Sequence, residues 1–191
     1  MIKLLSNIPL VFTIHQKITD ETCDKILSIV EPDDFILAPI TVGKNEFLVD
    51  TGYRNNTRVI MDNKGLADIL YPLLKDYLPE THQGWVLDGL NHRFRYYRYT
   101  PDQKFEKHFD GRYRETIDRE SRLTLLLYLE DDCEGGGTAF FETETEKLRF
   151  EVKPSKGQVL VFDHHQLHSG EPVVSGTKTV LRTDVMYKRN I

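Results

Sequence analysis

The sequence has little of what builds a site or an address signal by itself. Cysteine occurs only twice, at Cys23 and Cys133, far apart and in no CxxC pair. That excludes a disulfide framework and a thiolate zinc centre, and makes a reducing compartment, the cytoplasm, the expected location. Long apolar runs are missing, since nothing approaches the ~18 to 20 residues that a membrane-spanning helix needs. The opening stretch MIKLLSNIPLVFTIHQ is interrupted by Ser6, Asn7 and Pro9 and has no small-residue cleavage site, so it does not read as a signal peptide. Positive charge is not in excess either. With 30 acidic against 25 basic side chains and a net charge of −5, neither a nucleic-acid backbone nor a membrane is an expected partner.

What is present is an ordinary globular composition, 39% apolar and 29% charged over 191 residues, enough for one domain to bury a core. No repeat, low-complexity tract or linker divides it. Residues 1–191 are therefore expected to form a single domain, with 1–91 as a helical support and entrance region and 92–188 as a β-barrel core.

Residues 19–30, TDETCDKILSIV, open on a capping residue and acids and continue with Ile26, Leu27 and Val30, which reads as an amphipathic helix. A second helix is expected at about 63–78, where Leu66, Ile69, Leu70, Leu73, Leu74 and Tyr77 recur at helical spacing, Pro72 threatens a kink and Pro79 ends the run. From residue 92 the period changes to that of strands. RFRYYRYT (93–100), RLTLLLYLE (122–130), TAFFE (138–142), KLRFEV (147–152), QVLVFD (158–163) and KTVLRTDVMYK (178–188) are separated by Pro, Gly and acidic turns. Short strands without intervening helices imply a closed or double-sheet antiparallel architecture. The expected class is mainly β (α+β), with N-terminal helices buttressing one sheet.

The segment FEKHFDG places His108 and Asp110 on one face of an extended chain, about 7 Å apart along it, close enough to converge on one ion. A second cluster, FDHHQLHSG (162–170), brings His164, His165 and His168. One histidine from it would complete two imidazoles and a carboxylate on one face of a metal, the facial triad of non-haem Fe(II) oxygenases, which leaves positions open for substrate, cosubstrate and O2. His168, opening the short strand toward Gly176, is the preferred ligand. His164 and His165 read as turn residues, near the metal's surroundings or the substrate.

The last strand carries Lys178, Val180, Arg182, Asp184 and Met186 on its even face. Cations on a central strand must face water or meet an anion, because a bare buried charge is costly.

Together the strings RYTPDQKFEKHFDG, SRLTLLLYLEDDCEGGGTAFF and HSGEPVVSGTKTVLRTDVMY resemble the prolyl 4-hydroxylase-like 2-oxoglutarate/Fe(II)-dependent dioxygenases over about residues 92–188. The order HxD, GG turn, distal His, then a basic residue is specific. The resemblance implies a double-stranded β-helix, a jelly-roll or cupin-like barrel, with His108, Asp110 and His168 as catalytic metal ligands at its open end. It implies Fe(II), 2-oxoglutarate and O2, with ascorbate as an accessory reductant, and oxidative decarboxylation of 2-oxoglutarate to succinate coupled to hydroxylation of a substrate carbon. Lys178, ten positions after His168, matches the residue that binds the far carboxylate of the keto acid. Arg182 shares its face and is the alternative anchor. Tyr99 and Tyr128 match tyrosines near the same cosubstrate.

The substrate is expected to be peptidyl or a small molecule, a prolyl residue or an amino acid, with Arg95 and Tyr97 as contacts. The Arg/Tyr strand RFRYYRYT is better explained by a cavity wall than by nucleic-acid stacking. Alternatives are a cupin-like iron dioxygenase that uses no keto acid and a non-catalytic metal-dependent binding or sensor module. Gly135, Gly136 and Gly137 form no phosphate loop and are expected to make the hairpin turn after strand 122–130. YRNNTR (53–58) reads as a capping loop or as a lid segment over the cavity. Oligomeric state is not legible.

Overall fold

The computed structural model describes residues 1–7, 9–43 and 46–189. Alternation of apolar and polar side chains on the strands sorts the molecule into layers. The major, 11-stranded sheet runs in the order β1 (Ile2–Asn7), β2 (Leu10–Ile14), β16 (Val159–Asp163), β12 (Arg119–Tyr128), β19 (Lys178–Arg189), β9 (Arg93–Tyr99), β6 (Thr57–Asp62) and β3 (Ile36–Leu37). To it are added β11 (Arg114–Thr116) beside β12, β8 (Trp85–Leu90) beside β19, and β7 (Thr81–His82) beside β8. The minor sheet is β10 (Phe105–His108), β17 (His168–Gly170), β14 (Thr138–Phe141) and β15 (Leu148–Val152). Two short ladders pair β13 (Cys133–Gly135) with β18 (Val173–Gly176) and β4 (Ile40–Gly43) with β5 (Glu46–Leu48).

Parity on β12 and β19 decides what each face meets. Leu123, Leu125, Leu127, Leu181, Val185 and Tyr187 point one way, into a core shared with helices α1 (Asp20–Leu27) and α2 (Lys64–Leu74) through Cys23, Ile26, Leu66, Leu70 and Leu74. The helices therefore do buttress one face of the sheet. Thr19 caps α1 by accepting from the Thr22 amide and Asn63 caps α2 by accepting from the Leu66 amide. Pro72 sits inside α2, and the chain continues in a 3-10 turn, Lys75–Tyr77. On the opposite face Leu126, Tyr128, Leu160, Phe162 and Val180 of the major sheet meet Phe140 and Val152 of the minor one. Each such fully buried apolar side chain contributes about 1.5–3 kcal/mol. The open end of this inner layer is where the polar residues gather.

Two expectations need correction. Residues 1–91 are not chiefly helical, because β1, β2, β6 and β8 are strands of the major sheet. The amphipathic run TRVIMD pairs with β9 throughout, Thr57 opposite Arg98 to Asp62 opposite Arg93. The three glycines do not close a hairpin after β12 either. Gly135 pairs with Val173 at the end of β13, and Gly135 and Gly136 take positive φ as the chain passes into the minor sheet.

Candidate active site

The β10–β17 ladder sets His108 directly opposite His168, and the chain turns after β10 so that Asp110 faces both. One nitrogen or oxygen from each of the three lies within 4.8 Å of the others. His108 Nδ1 donates to the Glu106 carbonyl at 2.7 Å and His168 Nδ1 to the Gln166 carbonyl at 2.9 Å. Each bond fixes the tautomer and leaves Nε2 bearing a lone pair. Those Nε2 atoms lie 3.9 Å and 3.7 Å from the Asp110 oxygens, beyond hydrogen bonding and with room for an ion between them. Burial, reinforced by the neighbouring His168, lowers His108 to about 3, and burial lowers His168 as well, so both rings are neutral at physiological pH. Two neutral imidazoles and one carboxylate are the donor set that suits ferrous iron.

Burial alone would raise the Asp110 carboxyl, but the Arg182 guanidinium, helped by His168 and His108, holds it well below the usual range. Arg182 Nη2 lies 3.0 Å from Asp110 Oδ1 and 3.3 Å from Asp184 Oδ1. The other Asp110 oxygen accepts from the Thr124 hydroxyl at 2.6 Å. Since that hydroxyl has only one proton, it accepts from His164 Nδ1 at 3.0 Å, while His164 Nε2 accepts from Ser121 Oγ at 2.9 Å. The Tyr113 amide donates to Ser121 at 2.8 Å and closes a one-directional chain. His164 is thus a buried support of the carboxylate. His165 is exposed and caps the Asp163 turn.

Register also places the cosubstrate candidates, with Lys178 opposite Tyr99 and Arg182 opposite Arg95. Lys178 is 2% exposed. Its Nζ donates to the Gly136 carbonyl and stands 4.9 Å from the Tyr99 ring centre and 5.8 Å from that of Tyr128. No carboxylate lies within 4 Å of it among the described residues. Burial drives Lys178 down to about 8. A buried cation in the lining of a cavity shared with Tyr99, Thr138, His108, Asp110 and His168 can receive an anion. Tyr128 stands one residue behind that wall, its hydroxyl 2.8 Å from Thr138 Oγ1.

The family model for the 2OG-Fe(II) oxygenase superfamily matches residues 94–183, from β9 through most of β19. Two Arabidopsis thaliana proteins are similar over nearly the whole chain. "Probable prolyl 4-hydroxylase 3" is 28% identical, covering 92% of this chain and 69% of its own length; "Probable prolyl 4-hydroxylase 8" is 24% identical, covering 93% and 68%. By these matches the chain resembles the prolyl 4-hydroxylase-like 2-oxoglutarate/Fe(II)-dependent oxygenases. The chain shares its fold with a Pseudomonas putida prolyl-4-hydroxylase (TM-score 0.65, 15% identity, 95% of this chain and 93% of that one). It also shares it with a Trichoplax adhaerens prolyl hydroxylase solved with a hypoxia inducible factor peptide fragment (TM-score 0.67, 14% identity, 96% and 82%). That fold is the double-stranded β-helix. The family model and the prolyl 4-hydroxylase relatives support a hydroxylase dependent on Fe(II), 2-oxoglutarate and O2. Among the described residues no helix is long and apolar enough to cross a membrane.

Several residues of the site escaped the sequence reading. Arg54 pairs with Phe105 by an isolated bridge, and its guanidinium lies over the Tyr97 and Phe105 rings at 4.5 and 4.2 Å. With Tyr53, Arg58, Arg95, Tyr97 and Phe109 it walls a cleft of about 460 Å³ that opens onto His108, Asp110 and Arg182. YRNNTR is therefore a cavity wall, a role hidden because Arg54 and Phe105 meet only through the fold. Arg95 and Tyr97 line the cleft as the strand parity indicated. Thr124 carried a signal, being a polar residue on the same face of β12 as Leu126 and Tyr128.

Proposed function

We propose that this oxygenase hydroxylates an unactivated carbon of a prolyl-bearing substrate, with His108, Asp110 and His168 holding the iron. The convergence of these three side chains carries the reading. Bound Fe(II) with 2-oxoglutarate and O2 supplies the oxidising power, turning the keto acid into succinate and CO2 as oxygen enters a C–H bond. The chain's own part is to hold and shape. Fixed Nδ1–H bonds aim the imidazoles, and Arg182 and Thr124 orient the carboxylate. Lys178, assisted by Tyr99, anchors the far carboxylate of 2-oxoglutarate. Arg182 is the poorer candidate, because Asp110 and Asp184 already engage it.

The similarity to proteins named prolyl 4-hydroxylases supports a prolyl target, and the cleft of about 460 Å³ accommodates such a ring with its neighbours. Arg95 and Tyr97 are its contacts. We treat residues 1–191 as one catalytic domain, because the cleft takes walls from both the Pro39–Arg58 stretch and the barrel. The test is succinate release from 2-oxoglutarate, with oxygen addition to proline-containing peptides and free proline followed by mass spectrometry. Ala at His108, Asp110 or His168 abolishes both; unchanged turnover in all three variants refutes the assignment.

A further inference from the structure

We infer that the cleft beside the triad is built to receive an oxyanion of the substrate, a carboxylate, between Arg58 and Arg95 with Arg54 behind them. This rests on the hydroxylase reading and narrows the substrate that the same site takes. Arg54, Arg58, Arg95 and Arg182 all line the cleft, yet Asp110 is the one acid in its lining. The other acid in reach, Asp184, lies beneath and is divided among Arg182, Arg95 at 3.7 Å and the Asn91 amide at 3.2 Å. Four guanidiniums thus face two carboxylates, and Asp110 is also claimed by the metal.

The shortage appears atom by atom. Arg54 Nη2, Arg95 Nη1 and Arg182 Nε are buried without a hydrogen-bond acceptor among the described residues. A buried charged donor without an acceptor is destabilising until an anion supplies one. Arg54 is 4% exposed and held rigidly, its Nε donating to Asn56 Oδ1 at 2.8 Å and its plane resting on two aromatic rings. Such a fork is preorganised for a planar oxyanion. Burial lowers Arg58 from its ordinary value; Tyr97 opposes this, while Arg54, Arg95 and Arg93 add to it.

The cosubstrate is not the missing partner. Its anchor, Lys178, stands at the end of the inner cavity, whose lining includes Arg182 but not Arg54, Arg58 or Arg95. A carboxylate in the outer cleft comes from one of two sources, the α-carboxylate of a free amino acid or an Asp or Glu side chain beside the target residue.

Matched probes separate them. N-acetyl-L-proline against its amide tests the first source, and acetyl-Glu-Pro-Gly-amide against acetyl-Gln-Pro-Gly-amide the second. Each is scored by stimulation of succinate release and, without turnover, by equilibrium dialysis against protein loaded with manganese and 2-oxoglutarate. The carboxylate member of at least one pair should exceed its amide by about tenfold, equivalent to roughly 1.4 kcal/mol. Arg58→Gln should bring that ratio toward one, and Arg58→Lys should keep part of it. Equal response within both pairs, or no response to either carboxylate, overturns the anion site. Failure of the wild-type protein to release succinate under any condition overturns the hydroxylase reading instead.

Discussion

Replacing Lys178 by Met leaves a side chain of similar length with no charge, in a place where the native cation, besides the Tyr99 and Tyr128 rings, has only the Gly136 carbonyl as a hydrogen-bond partner among the described residues. An ordinary lysine titrates near ~10.4 and this one is pushed down to about 8 by burial, so at neutral pH the folded, unliganded protein carries a penalty of about 3 kcal/mol. The native value is the lower one, so the unfolded chain binds more protons between the two. The penalty is complete below pH 8 and fades as pH rises toward ~10.4. Unliganded wild-type protein therefore gains up to about 3 kcal/mol over that window, and Lys178→Met removes that component of the pH dependence. At pH 7 the variant should be more stable by about 2 kcal/mol, allowing about 1 for the lost hydrogen bond.

With 2-oxoglutarate the sign reverses. Removing one partner of a buried ion pair costs about 3–5 kcal/mol, so the KM for 2-oxoglutarate should rise by roughly two to four powers of ten. Urea unfolding across pH and succinate release against 2-oxoglutarate concentration measure the two effects. A KM unchanged in Lys178→Met, or raised more by Arg182→Met, would refute the argument that the unpaired cation is the anchor.

Thr124→Val keeps the shape of the side chain but breaks the donor chain at Asp110 and leaves His164 Nδ1 without an acceptor. The Fe(II) concentration for half-maximal activity should rise about 10- to 100-fold, and an unchanged requirement would show that the chain is ornamental to the metal. Gly176 has φ of +77°, and an added Cβ would run into the Asp132 carbonyl oxygen, whereas the atoms nearest to one at Gly137 all belong to the movable Glu151 side chain. Gly176→Ala should therefore lower stability by about 2 kcal/mol or more in urea unfolding, with Gly137→Ala costing clearly less. Similar losses at both positions would contradict the distinction between fixed backbone and movable side chain.

The barrel strands were legible because long β-branched and aromatic runs such as RLTLLLYLE and KTVLRTDVMYK alternate cleanly, and their bounds moved by few residues. Both helices were legible from their caps and periodicity, although α1 stops at Leu27, sooner than the apolar pattern suggested. The N-terminal strands were harder. β1 contains a register shift between Leu4 and Ser6, which breaks the alternation that would have revealed it. The grouping of His108, Asp110 and His168 was legible because HxD and a distal His carry their chemistry in residue type. Arg54 and Arg58 were not, since an arginine in a polar loop has the same local signature whether it faces water or a cleft. What favours Lys178 over Arg182 as the proposed anchor, the acids already beside Arg182, appears only in the fold.

The ladder between His108 and His168 belongs to the minor sheet, while Thr124 and Arg182, which grip Asp110, belong to the major one. An ion bound by the triad is therefore a rivet through both layers of the barrel. Its binding free energy enters the unfolding equilibrium as RT ln(1 + [Fe]/Kd), about 2.7 kcal/mol at a hundredfold excess over Kd. The melting temperature of this oxygenase should climb with free ferrous iron even without 2-oxoglutarate or O2, so starvation for iron would shorten the protein's lifetime as well as silence it.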